Sequence, residues 1–152
     1  PGQGSGGGPG DAGENCKPQG NVLIISDNSS SVPKAFAHGG VITIQFATPV
    51  FFQEIGLLNN DVNTDTIQLF DADGNPLLPP DQQVIPNAGC NGYQTLCFNR
   101  PGVMQVKITL HTLAAITHFC WAVDISDEAA YFGDDEYGRR ILALESCCDC
   151  HK

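Results

Sequence analysis

The sequence predicts an all-β fold: an antiparallel, jelly-roll-like β-sandwich of about eight strands. Three observations carry this. Ile42, Ile44 and Phe46 alternate with Thr43, Gln45 and Ala47, the period of two that marks a strand with one buried face. The same alternation returns in Met104, Val106, Ile108 and Leu110, set against Gln105, Lys107, Thr109 and His111. Clusters of Asn, Asp, Gly, Pro and Ser punctuate the chain at short intervals, as turns between short strands require.

Taken in order, the expected strands are residues 21–26, 41–47, 50–58, 65–70, 82–85, 93–98, 103–111 and 117–123. The first, NVLIIS, is an apolar run. The second and third are separated by Thr48-Pro49, which breaks the alternation. Turn clusters at 59–63, 71–76, 86–92 and 99–102 delimit the others. In the last strand Phe119, Trp121 and Val123 share one face, with His118 and Cys120 on the other, so Trp121, the one Trp, is expected to anchor the core.

Two segments of different composition flank this sandwich, residues 21–123. Residues 1–20 hold eight Gly and three Pro and no large apolar side chain. They predict an extended arm on the surface, because such a segment has nothing to bury. Gly4, Gly7, Gly10 and Gly13 fall in a three-residue register, but four triplets are too few for a triple helix. Residues 124–152 form an acidic tail that opens on a possible helix start at Ser126. A short helical turn or extra strand follows at residues 141–144, and a cysteine cluster after that.

A net charge of −10 with only seven Lys and Arg excludes a nucleic-acid partner, whose phosphates need clustered cations. No apolar run reaches the length of a membrane-spanning helix. The chain opens at Pro1 with no signal-peptide pattern, as expected of a processed protein or of a segment of a longer one.

Seven cysteines in a strand-rich chain point to disulfides and an extracellular or cell-surface setting. Cys90 and Cys97 flank the turn dipeptide Asn91-Gly92 and are the first candidate pair. Cys16 with Cys120, tying the arm to the body, is the second. The odd total leaves one thiol free or bonded to another molecule. Cys147, Cys148 and Cys150 are expected to be bonded as well, between subunits where the pairing allows. Cys147-Cys148-Asp149-Cys150-His151 also matches the Cys-x-x-Cys-His motif of covalent haem attachment, with His151 as axial ligand; a zinc site is a further reading.

Several stretches together carry a resemblance: Gly13-Glu-Asn-Cys16, Gly20-Asn-Val-Leu-Ile-Ile25, Gly39-Gly40-Val-Ile-Thr-Ile-Gln-Phe46, Pro49-Val50, Ile55-Gly-Leu-Leu58, Gly102-Val103 and Thr117-His-Phe-Cys120. Over residues 9–123 the chain resembles a repeated domain of exported microbial and algal surface proteins, among them the bacterial choice-of-anchor group. The resemblance implies a jelly-roll-like sandwich in adhesive or architectural proteins. It also implies a further strand, rich in Phe and Asp, ahead of the Gly-rich arm. This chain starts after that point, so a vacant strand position is expected. The family's Asp-x-Asp after the Gly-Leu-Leu strand is here Asn59-Asn60-Asp61.

No catalytic pattern is identifiable, so the chain is expected not to be an enzyme. Asp71, Asp73 and Asn75 resemble the opening of a calcium loop, with Asp61 and Asp65 as possible helpers; ordinary hairpin chemistry is the competing reading. No other cofactor is expected. Asn28-Ser29-Ser30 is the one N-glycosylation pattern and sits in a polar loop. His111 and His118 fall on or near outward strand faces and are expected to be solvated.

The leading functional expectation is an exported structural protein that assembles with copies of itself into a homo-oligomer or helical filament by donation of a strand. The donor would be either the Gly-rich arm or residues 139–146. The alternatives are a carbohydrate-binding module, with Tyr93, Tyr131, Phe132 and Tyr137 as exposed aromatics, and a haem protein through Cys147, Cys150 and His151.

Overall fold

A computed structural model describes residues 6–29 and 31–123. Its described part is all-β: one open four-stranded antiparallel sheet in the order β2-β3-β1-β4, with a single short 3-10 turn, Pro80–Gln82, and no α-helix among the described residues. The strands are β1 (Gly40–Leu58), β2 (Thr66–Phe70), β3 (Tyr93–Leu110) and β4 (Ala115–Val123).

Four strands stand where eight were expected, because two pairs of expected strands are continuous. Residues 41–47 and 50–58 merge into β1, and 93–98 and 103–111 merge into β3. The breaks between them are bulges. Gln45 pairs with Gln105 and Val50 with Val103, so residues 46–49 lie opposite Met104 alone. Further shifts follow between Val50 and Phe52 and between Phe52 and Glu54. Asn99 and Gly102 take positive φ, 49° and 74°, which lets β3 absorb these shifts without leaving its partner. Pro49 and Pro101, which have no N–H to give, sit within this irregular stretch.

The other two expected strands shrink to isolated bridges. Leu23 pairs with Ile116 and Ser26 with Ala35, while Val84 pairs with Thr66. Turn-forming residues on both sides keep these segments too short to extend into ladders.

The core is written in cross-strand rows. Ile67, Ile108 and Ile42 form one row across β2, β3 and β1, and Leu69, Val106 and Ile44 the next. Beyond the bulges, Leu96, Ile55 and Phe119 form a row across β3, β1 and β4. Side chains from both stretches join Leu78, Ile85 and Ala114 from the loops in one apolar cluster. Phe52, fully buried, is its largest member and touches the rings of Phe46 and Phe98. Trp121 is not the core anchor: it is 46% exposed and leans on Phe46, with ring centroids 5.4 Å apart. The reason is its place on β4, the outer strand of the sheet: among the described residues its row is flanked on one side only, by Phe52 of β1.

The Gly-rich arm is folded onto the body over its described part rather than laid along it. Gly6 N–H donates to the Cys90 carbonyl, and Tyr93 N–H donates to that of Gly13. Asn15 is buried, its side-chain amide reaching the Asn91 carbonyl at 3.4 Å. Gly6, Gly13 and Gly92 all crowd the Ala88 carbonyl so closely that a Cβ on any of them would overlap it. These glycines answer a packing requirement; a collagen-like period plays no part.

Candidate functional site

Among the described residues a strand position beside the first half of β1 stands open. β4 pairs with β1 only from Val50 to Leu58, ending where Val123 meets Val50. Residues 41–45 therefore pair with β3 on one side, and no described residue pairs with residues 41–47 on the other. Burial records the same gap. Ile42, Ile44 and Phe46 point to the core face yet are only half-buried, whereas Ile55 and Leu57, flanked by β3 and β4, are fully buried. The outward residues Val41, Thr43, Gln45 and Ala47 are exposed.

The chemistry of this edge is unusual. Residues 41–47, VITIQFA, hold no charge, Pro or Gly, the devices by which proteins keep edges from pairing. The other edges have partial cover, and among the described residues the outer side of β4 is bridged at Ile116 alone. Ile67 N–H donates to Gln83, and Leu69 accepts from Leu77, along the outside of β2. Gln94 and Arg100 of β3 bond to Pro86 and Gln82 of the intervening loop. Leu23 exchanges two backbone bonds with Ile116 at the start of β4. Trp121 and Phe46 stand at the bulged end of the open position, and Ile25 packs near Gly40 at the other.

On the opposite face of the sheet lies a polar cluster that the sequence reading missed. Cys97, Glu54 and Cys120 form one cross-strand row, and Thr95, Gly56 and His118 the next. Glu54 is buried; its Oε1 lies 2.9 Å from His118 Nε2, and its Oε2 accepts a 3.6 Å bond from the Cys97 thiol. His118 Nδ1 lies 3.0 Å from Thr117 Oγ1. A proton on Nε2 lets the imidazole donate to Glu54 and accept from Thr117. The ring lies against Gly56, where a side chain would overlap both it and the Thr117 hydroxyl. A second pair joins the hairpin ends: fully buried Asp65 Oδ1 accepts the His111 backbone N–H at 2.7 Å and lies 3.1 Å from its Nδ1. Both histidines thus rest against buried carboxylates while keeping part of the ring in solvent, 52% of the side chain for His111 and 35% for His118.

The other sequence-derived candidates are placed as follows. Cys16, Cys90 and Cys97 are exposed thiols, Cys120 is buried on β4, and the structure joins no two of the four by a disulfide. Cys97 and Cys120 are also separated by the width of β1, roughly 10 Å between backbones, which a disulfide cannot span. Asn28 is exposed in the turn after Ser26. Tyr93 bonds Thr95 through its hydroxyl. Cys147, Cys148, Cys150, His151, Tyr131, Phe132, Tyr137 and the donor candidate 139–146 lie outside the described residues.

Asp71 serves its own loop. Its Oδ1 accepts the backbone N–H groups of Asp73 and Asn75, and its Oδ2 accepts the Asn75 side-chain amide. Asp65, offered as a helper, is committed to His111. Among the described residues no three His, Cys, Asp or Glu side chains come together to hold a metal ion. The Asn75 side-chain amide, aided by backbone donors, holds the Asp71 carboxyl below the usual carboxylate range. Because the folded value is depressed, the turn keeps this support above the unfolded value of about 3.9 and loses it as pH falls through the folded value. In an NMR titration the Asp73 and Asn75 amides should shift with a midpoint below that of an ordinary Asp; a midpoint at or above it contradicts the assignment.

Compared with known protein families, curated proteins and solved structures, the chain matches none. Among the described residues no helix is long and apolar enough to cross a membrane.

Proposed function

We propose that this chain is an exported structural protein whose sheet is completed by a strand from a neighbouring copy, so that copies link into an oligomer or filament. The observation that carries this reading is the uncharged edge at residues 41–47 with half-buried Ile42, Ile44 and Phe46 beneath it. An edge of this kind combines unpaired backbone N–H and C=O groups with apolar surface, and an added strand satisfies both at once. The jelly-roll-like sandwich belongs to the same reading: the incoming strand would extend the sheet over the half-buried row and close the core there. Donation from one copy to the next is a head-to-tail contact, which yields a filament unless its rotation closes into a ring.

Native protein is expected to elute above monomer mass in light-scattering chromatography and to show fibres or rings in negative stain. A strict monomer across the accessible concentration range would remove the basis for this reading. A glycan-binding alternative takes its support from Trp121, whose half-exposed ring beside Phe46 offers a stacking surface. A glycan array in which Trp121→Ala abolishes signal would favour it.

A further inference from the structure

We infer that the strand entering the open position is residues 139–146 of a second copy of this chain. The inference rests on the assembly reading and names its donor.

Of the two segments that could donate, the Gly-rich arm is already engaged. Gly6 N–H and the Gly13 carbonyl bond the body at Cys90 and Tyr93, and Asn15 and Glu14 close the arm on itself through Gly7 and Asp11. Releasing it would uncover buried Asn15 and empty the glycine packing around Ala88. The arm also offers no large apolar side chain to place against Ile42, Ile44 and Phe46.

Residues 139–146, RRILALES, supply what the position needs. Leu142 and Leu144 alternate with Ile141 and Ala143, so an extended conformation puts both leucines on one face, over the half-buried row. Arg139 and Arg140 are the one adjacent pair of cations in a chain of net charge −10.

The chain's own connection favours a neighbour as the source. Val123 leaves β4 opposite Val50, at the mouth of the open position. Direct continuation would bring Asp127 onto the apolar face after Ile125, where burying a carboxylate is costly, with Asp124 and Glu128 on the outer face. In this assembly residues 124–138 would serve as the link between body and donor. Fifteen residues of flexible chain span roughly 20 Å on average, enough to reach a second molecule.

A complementation experiment on the full chain tests this. Thr43→Lys/Gln45→Lys alters two exposed side chains of the acceptor edge and sets two cations against the donor's arginines. Leu142→Asp/Leu144→Asp disables the donor. Each variant alone should assemble with an apparent dissociation constant raised at least about tenfold. An equimolar mixture should form one-to-one heterodimers, because one variant keeps a working donor and the other a working acceptor. If wild type assembles and the Leu142→Asp/Leu144→Asp variant assembles equally well, the donor assignment is overturned while the assembly reading stands. A mixture that stays monomeric has the same consequence. Wild type that is monomeric, and loses thermal stability on the Leu142→Asp/Leu144→Asp change, places the strand in its own molecule and overturns donation between copies. Wild type that is monomeric and unaffected by either variant removes the assembly reading itself.

Discussion

Phe52→Ala should cost about 3–5 kcal/mol of folding stability, the range for removing a fully buried aromatic side chain. Phe52 is fully buried and sits where β1 meets β3 and β4, against the rings of Phe98 at 5.9 Å and Phe46 at 6.5 Å. Its neighbours belong to strands held by the bulged register, so they cannot slide inward to fill the space without breaking backbone pairing. A loss of this size is a large share of the roughly 5–15 kcal/mol that stabilises a typical domain. In denaturant titration the midpoint should fall with little change in slope. Trp121→Ala is the decisive comparison. A reading from residue type alone ranks the one Trp first, whereas Trp121 is 46% exposed and should cost well under half as much. Equal losses for the two variants would refute the packing described for β4.

Why the sequence pointed to Trp121 is instructive. Period-two alternation identifies which residues share a face, and it placed Ile42, Ile44, Val106 and Ile108 correctly. It does not say which strand lies at the edge of the sheet, and β4 is the outer strand, so Trp121 is exposed although its partner Phe52 is fully buried. The strand count went astray for a related reason. Thr48-Pro49 and Asn99-Arg-Pro-Gly102 carry turn chemistry, but a left-handed Asn or Gly serves a bulge as well as a turn. Only the presence of a continuous partner strand separates the two, and pairing is a property of distant segments. The Glu54–His118 pair was out of reach on the same ground, since the two residues are 64 positions apart and meet only through the β1–β4 register. Gly56 was the available clue: a glycine inside an apolar strand marks a close approach of some other group.

That clue also yields the sharpest test of the polar face. Gly56 lies in ordinary extended backbone without a positive φ, so alanine is conformationally acceptable there. In an open strand position Gly→Ala would be stabilising by roughly 0.5–1 kcal/mol. Here the sign should reverse, because the new methyl would occupy the space of the His118 ring and the Thr117 hydroxyl. Displacing the ring breaks its 2.9 Å contact with Glu54, a buried carboxylate. Steric strain and weakened hydrogen bonding to a buried charged group together predict a loss of roughly 2–4 kcal/mol for Gly56→Ala. His118→Ala removes the obstructing ring in advance, so the methyl should cost much less in that background. The double-mutant cycle should therefore return a coupling of at least about 1 kcal/mol between positions 56 and 118. Additive losses would mean that the imidazole does not lie against Gly56, and the cross-strand row that seats it beside Glu54 would have to be redrawn.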